Sequence, residues 1–148
     1  MQDLSYLIIK ASKNLKNKLD KALKEFDITL VQFSVIIQIY LSDQPITAAE
    51  IAQKLGSDRP TISGIINRLE KKGIVLKIDN LEDKRSSYLE IYKESYKLVE
   101  KIKIISDELT INIFSIYSKE EIKQFTGMIS KLIEGTREWW IIRYYWQE

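Results

Sequence analysis

The chain has 148 residues, of which 45% are hydrophobic and 30% charged, with 5 Gly and 2 Pro; that composition fits one globular, helix-rich domain, or two small lobes sharing a core, and not a disordered chain. It holds 0 Cys and 0 His, which excludes disulfides, thiol redox sensing and thiolate zinc sites and removes the commonest general base and transition-metal ligand. The net charge is +2, divided as 6 Lys against 4 acids in residues 1–28, 8 Lys+Arg against 8 acids in 29–92, and 9 against 9 in 93–148, so any case for nucleic-acid binding has to rest on where charges sit and not on bulk charge.

The N-terminal stretch reads as one long helix over roughly residues 2–25. Leu4, Leu7, Ile8, Ala11, Leu15, Leu19, Ala22 and Phe26 recur at three- and four-residue spacing. Lysines lie inside that pattern, so it does not read as a signal peptide. No apolar run approaches a membrane span, and a cytoplasmic protein with no membrane partner is expected.

A run of short elements follows. "TLVQFSVIIQIYL" reads as a buried helix with Thr29 as its N-cap. In "TAAEIAQKLG", Thr47 and Glu50 have capping-box spacing and Gly56 suits a left-handed C-terminal position. The next helix begins at Ser57 or Asp58, buries Ile62, Ile65, Ile66 and Leu69, and stops at Gly73. "IVLKID" and "SYLEI" then alternate like two strands around the polar "NLEDKRS".

From residue 93 the pattern is helical again. Val99, Ile102, Ile105, Leu109, Ile113 and Ile116 make one stripe, and Ile104, Ile111 and Phe114 begin a second. Ser118 and Glu121 form another capping-box pair ahead of Ile122, Phe125, Met128, Ile129, Leu132 and Ile133. The tail "WWIIRYYW" carries all three Trp residues; it reads as a continuation of that helix, or as a separate short helix after a break at Gly135 and Thr136.

Helix, short turn, helix and then a two-stranded ribbon is the order of a winged helix-turn-helix. The second helix keeps a slim, mildly basic outer face, with Pro60, Ser63, Gly64, Asn67 and Lys71 flanked by Arg59 and Arg68. A helix that enters a major groove about 12 Å wide needs such a face.

At "LVQFSVIIQIY", "ITAAEIAQKLGSDRPTISGIINRLEKKGIVLK" and "DNLEDKRSSYLEI" the chain resembles the MarR-type winged-helix regulators of bacteria. The most specific parts are "DRPTISGIINRLEKKGIV" and the "EDKR" of the wing. The resemblance implies a mostly α fold with a small β-ribbon. It places an N-terminal dimerisation helix at 1–28, a DNA-binding winged helix-turn-helix at 29–92 and C-terminal dimerisation helices at 93–148. It also implies a homodimer on double-stranded DNA, a recognition helix in the major groove, a wing arginine in the minor groove, and release on binding a small aromatic ligand. Two departures stand out. Gly64 replaces the long basic or polar residue usual in the family, and Tyr92 and Ser95 replace the usual threonine and glycine after the wing, which shifts the helix start towards Ser95.

The candidate DNA-binding residues are Arg59, Pro60, Thr61, Ser63, Asn67, Arg68, Asp83, Lys84 and Arg85. Thr61, Ser63 and Asn67 can bond base edges or phosphates, or can simply face solvent. Pro60 can touch a thymine methyl or merely start the helix. Arg59 and Arg68 suit phosphates or guanine edges, with an ion pair as the alternative for Arg68. Arg85, at a ribbon tip, suits a narrow A·T-rich minor groove, with Asp83 placed to direct it and Lys84 beside it for a phosphate. Glu50, Glu70, Glu82 and Asp83 have no nucleophile or phosphate-loop motif near them, so no catalytic residue, metal or cofactor is expected. The rival to a DNA-binding regulator is a winged-helix protein–protein interaction module.

Overall fold

The computed structural model describes residues 3–81 and 83–137. The chain divides into two compact units, with the boundary after Glu108.

The first unit opens with α1, Leu4–Leu23, capped by Asp3, whose side chain accepts the Ser5 N–H at 3.0 Å. The expected helix ends early. A short 3₁₀ turn, Lys24–Phe26, follows, and Asp27 takes a left-handed conformation with φ of 53°. Asp is among the few residues besides Gly that enter this region, because its short polar side chain bonds locally. The chain can then re-enter helix at α2, Leu30–Tyr40, where Thr29 and Gln32 close a capping box.

Next come β1, Ile46–Thr47, α3, Ala48–Leu55, and α4, Arg59–Lys71. The turn between α3 and α4 needs Gly56, with φ of 60°. The Gly56 and Ser57 N–H groups satisfy the carbonyls of Gln53 and Ala52. Of the two possible caps for α4, Asp58 serves. β2, Val75–Asp79, and β3, Ser87–Ile91, form the hairpin.

The expected two-stranded ribbon is present as the β2–β3 hairpin, and β1 joins it to make a three-stranded antiparallel sheet of order β1-β3-β2. Ile46 and Thr47 pair with Leu89 and Tyr88, while Val75, Lys77 and Asp79 pair with Ile91, Leu89 and Ser87. A strand of two residues leaves no alternating pattern to read. After β3, a 3₁₀ turn at Lys93–Ser95 precedes α5, Tyr96–Phe114. The shift of the helix start is therefore as expected, and the Ser95 hydroxyl donates to the Gly73 carbonyl at 2.8 Å.

One apolar cluster holds this unit. Leu23 and Ile28, Val35 and Ile36 of α2, Ile51 of α3, Ile62, Ile65, Ile66 and Leu69 of α4, Val75, Leu89 and Ile91 of the sheet, and Val99 and Ile102 of α5 are all buried in it. Burying such a side chain contributes about 1.5–3 kcal/mol.

In the second unit, Phe114 lies against Tyr117 and Phe125, with ring centroids 6.2 and 6.0 Å apart. α6 spans Lys119–Arg137 behind the Ser118–Glu121 capping box. The helix runs through Gly135 and Thr136, so a break there is not observed. The aromatic tail, 139–146, lies outside the described residues. Large apolar side chains stay exposed on α1, α5 and α6, among them Leu4, Ile9, Ile104, Ile111, Met128 and Ile133.

Gly64 sits in the middle of α4, and a Cβ placed there would meet no atom within 4 Å. Packing within the chain therefore does not require a glycine. Gly64→Ala is expected to stabilise the fold by about 0.5–1 kcal/mol, measured as a higher urea midpoint. A lower midpoint would show a contact that this geometry lacks.

Candidate nucleic-acid interface

The start of α4 is tied down by its own cap. Asp58 accepts the Thr61 hydroxyl at 2.7 Å and the Thr61 N–H at 2.8 Å. The hydroxyl bond first, and the backbone bond second, hold the Asp58 carboxyl below the ordinary carboxylate range. Thr61 has thus given its donors to the cap and keeps acceptor capacity for a ligand. At α3 the Thr47 N–H and hydroxyl each donate to Glu50 at 2.8 Å. They likewise hold that carboxyl low, the backbone bond being the larger cause.

Arg59, Ser63 and Asn67 recur every four residues along α4 and form one wall of a cleft of about 890 Å³. The opposite side comes from the β2–β3 hairpin, including Asp83 and Arg85. Five of the nine sequence candidates are therefore brought together. Pro60, Thr61, Arg68 and Lys84 do not line this cleft. Arg68 lies exposed on α4, and among the described residues it makes no ion pair.

The hairpin tip is built from side chain to backbone. Asn80, buried with 8% exposure, accepts the Asp83 N–H at 3.1 Å and donates to the Ser86 hydroxyl at 2.9 Å. Asp83 accepts the Arg85 N–H at 3.0 Å. The Arg85 Nε lies 3.9 Å from the same carboxylate oxygen, and its side chain is 97% exposed. Asp83 thus shapes the turn that carries Arg85, and at this separation it attracts the guanidinium without a hydrogen bond.

Sequence reasoning passed over Lys77, Asn80 and Ser86. Lys77 spans from β2 to α4, donating to Asn67 Oδ1 at 2.7 Å and Glu70 Oε2 at 2.8 Å. Its signal was available: Lys77 has the strand parity of buried Val75, on the face that meets the helix. Among the described residues no cluster of acids could hold a metal ion, and no helix is long and apolar enough to cross a membrane.

A helix pair joined by a tight turn, closed by a small sheet whose hairpin projects beside the second helix, defines a winged helix-turn-helix protein. The sequence model of the MarR family matches residues 28–87. The DNA complex of MepR from S. aureus is 29% identical, with a TM-score of 0.84 over 91% of this chain and 99% of that one. A mutant of the same S. aureus protein is 30% identical, with a TM-score of 0.69 over 90% and 98%. The HTH-type transcriptional regulator SarZ of Staphylococcus haemolyticus is 27% identical over 72% of this chain and 71% of its own length. The chain belongs to the MarR family, and its relatives are transcriptional regulators.

The low pKa of Asp58 gives the α4 cap a pH dependence. A folded-state value below the unfolded one means that the contribution is fully present above the ordinary carboxylate range and is lost as pH falls through the folded value. Asp58→Asn keeps a good cap without a titrating group. It is expected to hold the urea midpoint near neutral pH and to flatten its decline in acid, whereas Asp58→Ala lowers the midpoint at neutral pH. Identical acid profiles for wild type and Asp58→Asn would contradict the assignment.

Proposed function

We propose that this protein is a sequence-specific repressor that binds double-stranded DNA as a homodimer, occludes a promoter at a palindromic operator, and lets go when a small aromatic ligand binds. The observation that carries the reading is the shared cleft. Arg59, Ser63 and Asn67 face it from α4, and Arg85 stands at the hairpin tip across from them. Gly64 adds no side chain to the outer face of α4, where a Cβ would meet no atom within 4 Å.

In this reading Arg59, Pro60, Thr61, Ser63, Asn67 and Arg68 meet the major groove and its phosphates, while Asp83, Lys84 and Arg85 form the wing contact. The similarity to a protein crystallised on DNA supports it. Residues 1–28 and 93–148 supply the dimer interface. The exposed apolar side chains of α1, α5 and α6 support that role, since a monomer rarely leaves large apolar patches in water. The aromatic ligand and the repressor role rest on the family likeness, and the cytoplasm is the setting such a regulator requires.

Arg85→Ala is expected to weaken operator binding by about 1–3 kcal/mol, most at an A·T-rich position flanking each half-site. Asp83→Ala should do part of the same damage through the turn it shapes. Titrations at moderate salt decide this, and unchanged affinity in Arg85→Ala would remove the wing from the interface.

Selection from random duplexes is expected to return an inverted repeat, with half-site centres about 10–10.5 bp apart or a multiple of that. Affinity should fall steeply with salt, because phosphate contacts release counterions. Direct repeats would contradict the two-fold dimer. Absence of any salt-dependent duplex binding would favour the protein-interaction module.

A further inference from the structure

The strand pleat turns Lys77 to the sheet face that meets α4, and its ammonium donates there to Asn67 Oδ1 at 2.7 Å and Glu70 Oε2 at 2.8 Å. Asn67 and Glu70 are three residues apart, neighbours on the helix surface. An ammonium has three donors and no acceptor, so the Asn67 atom that faces it has to be the amide oxygen. The amide direction is therefore fixed by chemistry. Asn67 lines the cleft, and with its oxygen held by Lys77 the polar group that it has to offer there is its NH₂, a donor.

We propose that Lys77 is a positioning residue for base readout: by holding the Asn67 oxygen it presents the amide as a donor, and so makes the base that Asn67 reads a keto base, guanine or thymine, in preference to adenine or cytosine. The proposal rests on the DNA-binding reading above. In the major groove guanine O6 and N7 and thymine O4 accept, whereas adenine pairs its N7 acceptor with the N6 donor and cytosine N4 donates. An unrestrained asparagine serves adenine well, accepting from N6 while donating to N7. Lys77 competes for that accepting oxygen. Glu70 keeps the ammonium in place and neutralises it, so Lys77 acts on Asn67 and not as a phosphate counter-ion. The pair is part-exposed, with side chains 35% and 40% accessible; such pairs contribute little to stability, and the fold is expected to survive loss of Lys77.

The test is selection of bound duplexes from a random pool, at one salt concentration, by wild type, Asn67→Ala, Lys77→Arg, Lys77→Met and Lys77→Gln. The position read by Asn67 is the one whose preference disappears in Asn67→Ala. Wild type is expected to favour keto bases there about tenfold. Lys77→Arg, again with donors and no acceptor, should keep that preference. Lys77→Met and Lys77→Gln should admit adenine at that position alone, the Gln variant because its own amide lets Asn67 flip. If Lys77→Met does not fold, Lys77→Gln carries the same contrast. Adenine preferred by wild type, no position lost in Asn67→Ala, or an unchanged keto preference in a folded Met or Gln variant would overturn the inference and leave operator binding standing. Failure of wild type to select any sequence would overturn the DNA-binding reading together with it.

Discussion

Burial of Ile62, Ile65, Ile66 and Leu69 sets the rotation of α4 about its own axis, and the candidate site follows from that rotation. Each buried aliphatic side chain contributes about 1.5–3 kcal/mol, whereas an exposed ion pair contributes about 0–1 kcal/mol. The stripe therefore outweighs any polar preference on the outer face. Once it is seated against α2, α3 and the sheet, Arg59, Ser63 and Asn67 have to point the other way. The tight turn at Gly56 then fixes where the helix begins, and the Gly73 turn fixes how soon the hairpin returns beside it.

The helices and caps were legible because their signals are local. Thr29, the Thr47–Glu50 and Ser118–Glu121 pairs, and Gly56 each act within four residues of their own position. What escaped was non-local or too short. β1 exists because Ile46 and Thr47 can pair with β3 some forty residues on. Asp27 enters the left-handed region without the glycine that usually announces it. The site divides in the same way: its positions could be read along α4 and the hairpin, but not the partners that occupy them. Thr61 turned out to be bound to Asp58, Asn67 to Lys77, and Asp83 to the Arg85 backbone. The Asp58–Thr61 and Asp83–Arg85 bonds are local, three and two residues apart, whereas the Asn67–Lys77 bond depends on a helix and a strand meeting in space, which residue spacing along one element does not reveal.

Charge balance misleads here for a related reason. The middle of the chain has as many acids as bases, yet two of its bases are already matched by acids of the chain. Lys72 is held by Asp27 and Lys77 by Glu70. Arg59, Arg68 and Lys71 on α4 make no ion pair among the described residues, and Arg85 is only loosely attracted to Asp83. A chain of nearly zero net charge can therefore present a local positive field on one surface, which is the quantity that steers an anionic partner.

The Lys72–Asp27 link has a mechanical consequence. Lys72 caps the end of α4, and its ammonium reaches both the carboxylate of Asp27, at 2.7 Å, and the Asp27 carbonyl, in the loop that joins α1 to α2. The C-terminal end of α4 is thus tied to the loop that follows α1, while the N-terminal end carries Asp58 and Arg59. Thirteen residues make α4 about 20 Å long. With Ile62, Ile65, Ile66 and Leu69 seated along that length, the exposed Lys72–Asp27 link is a tether between two segments far apart in the chain and not a pivot.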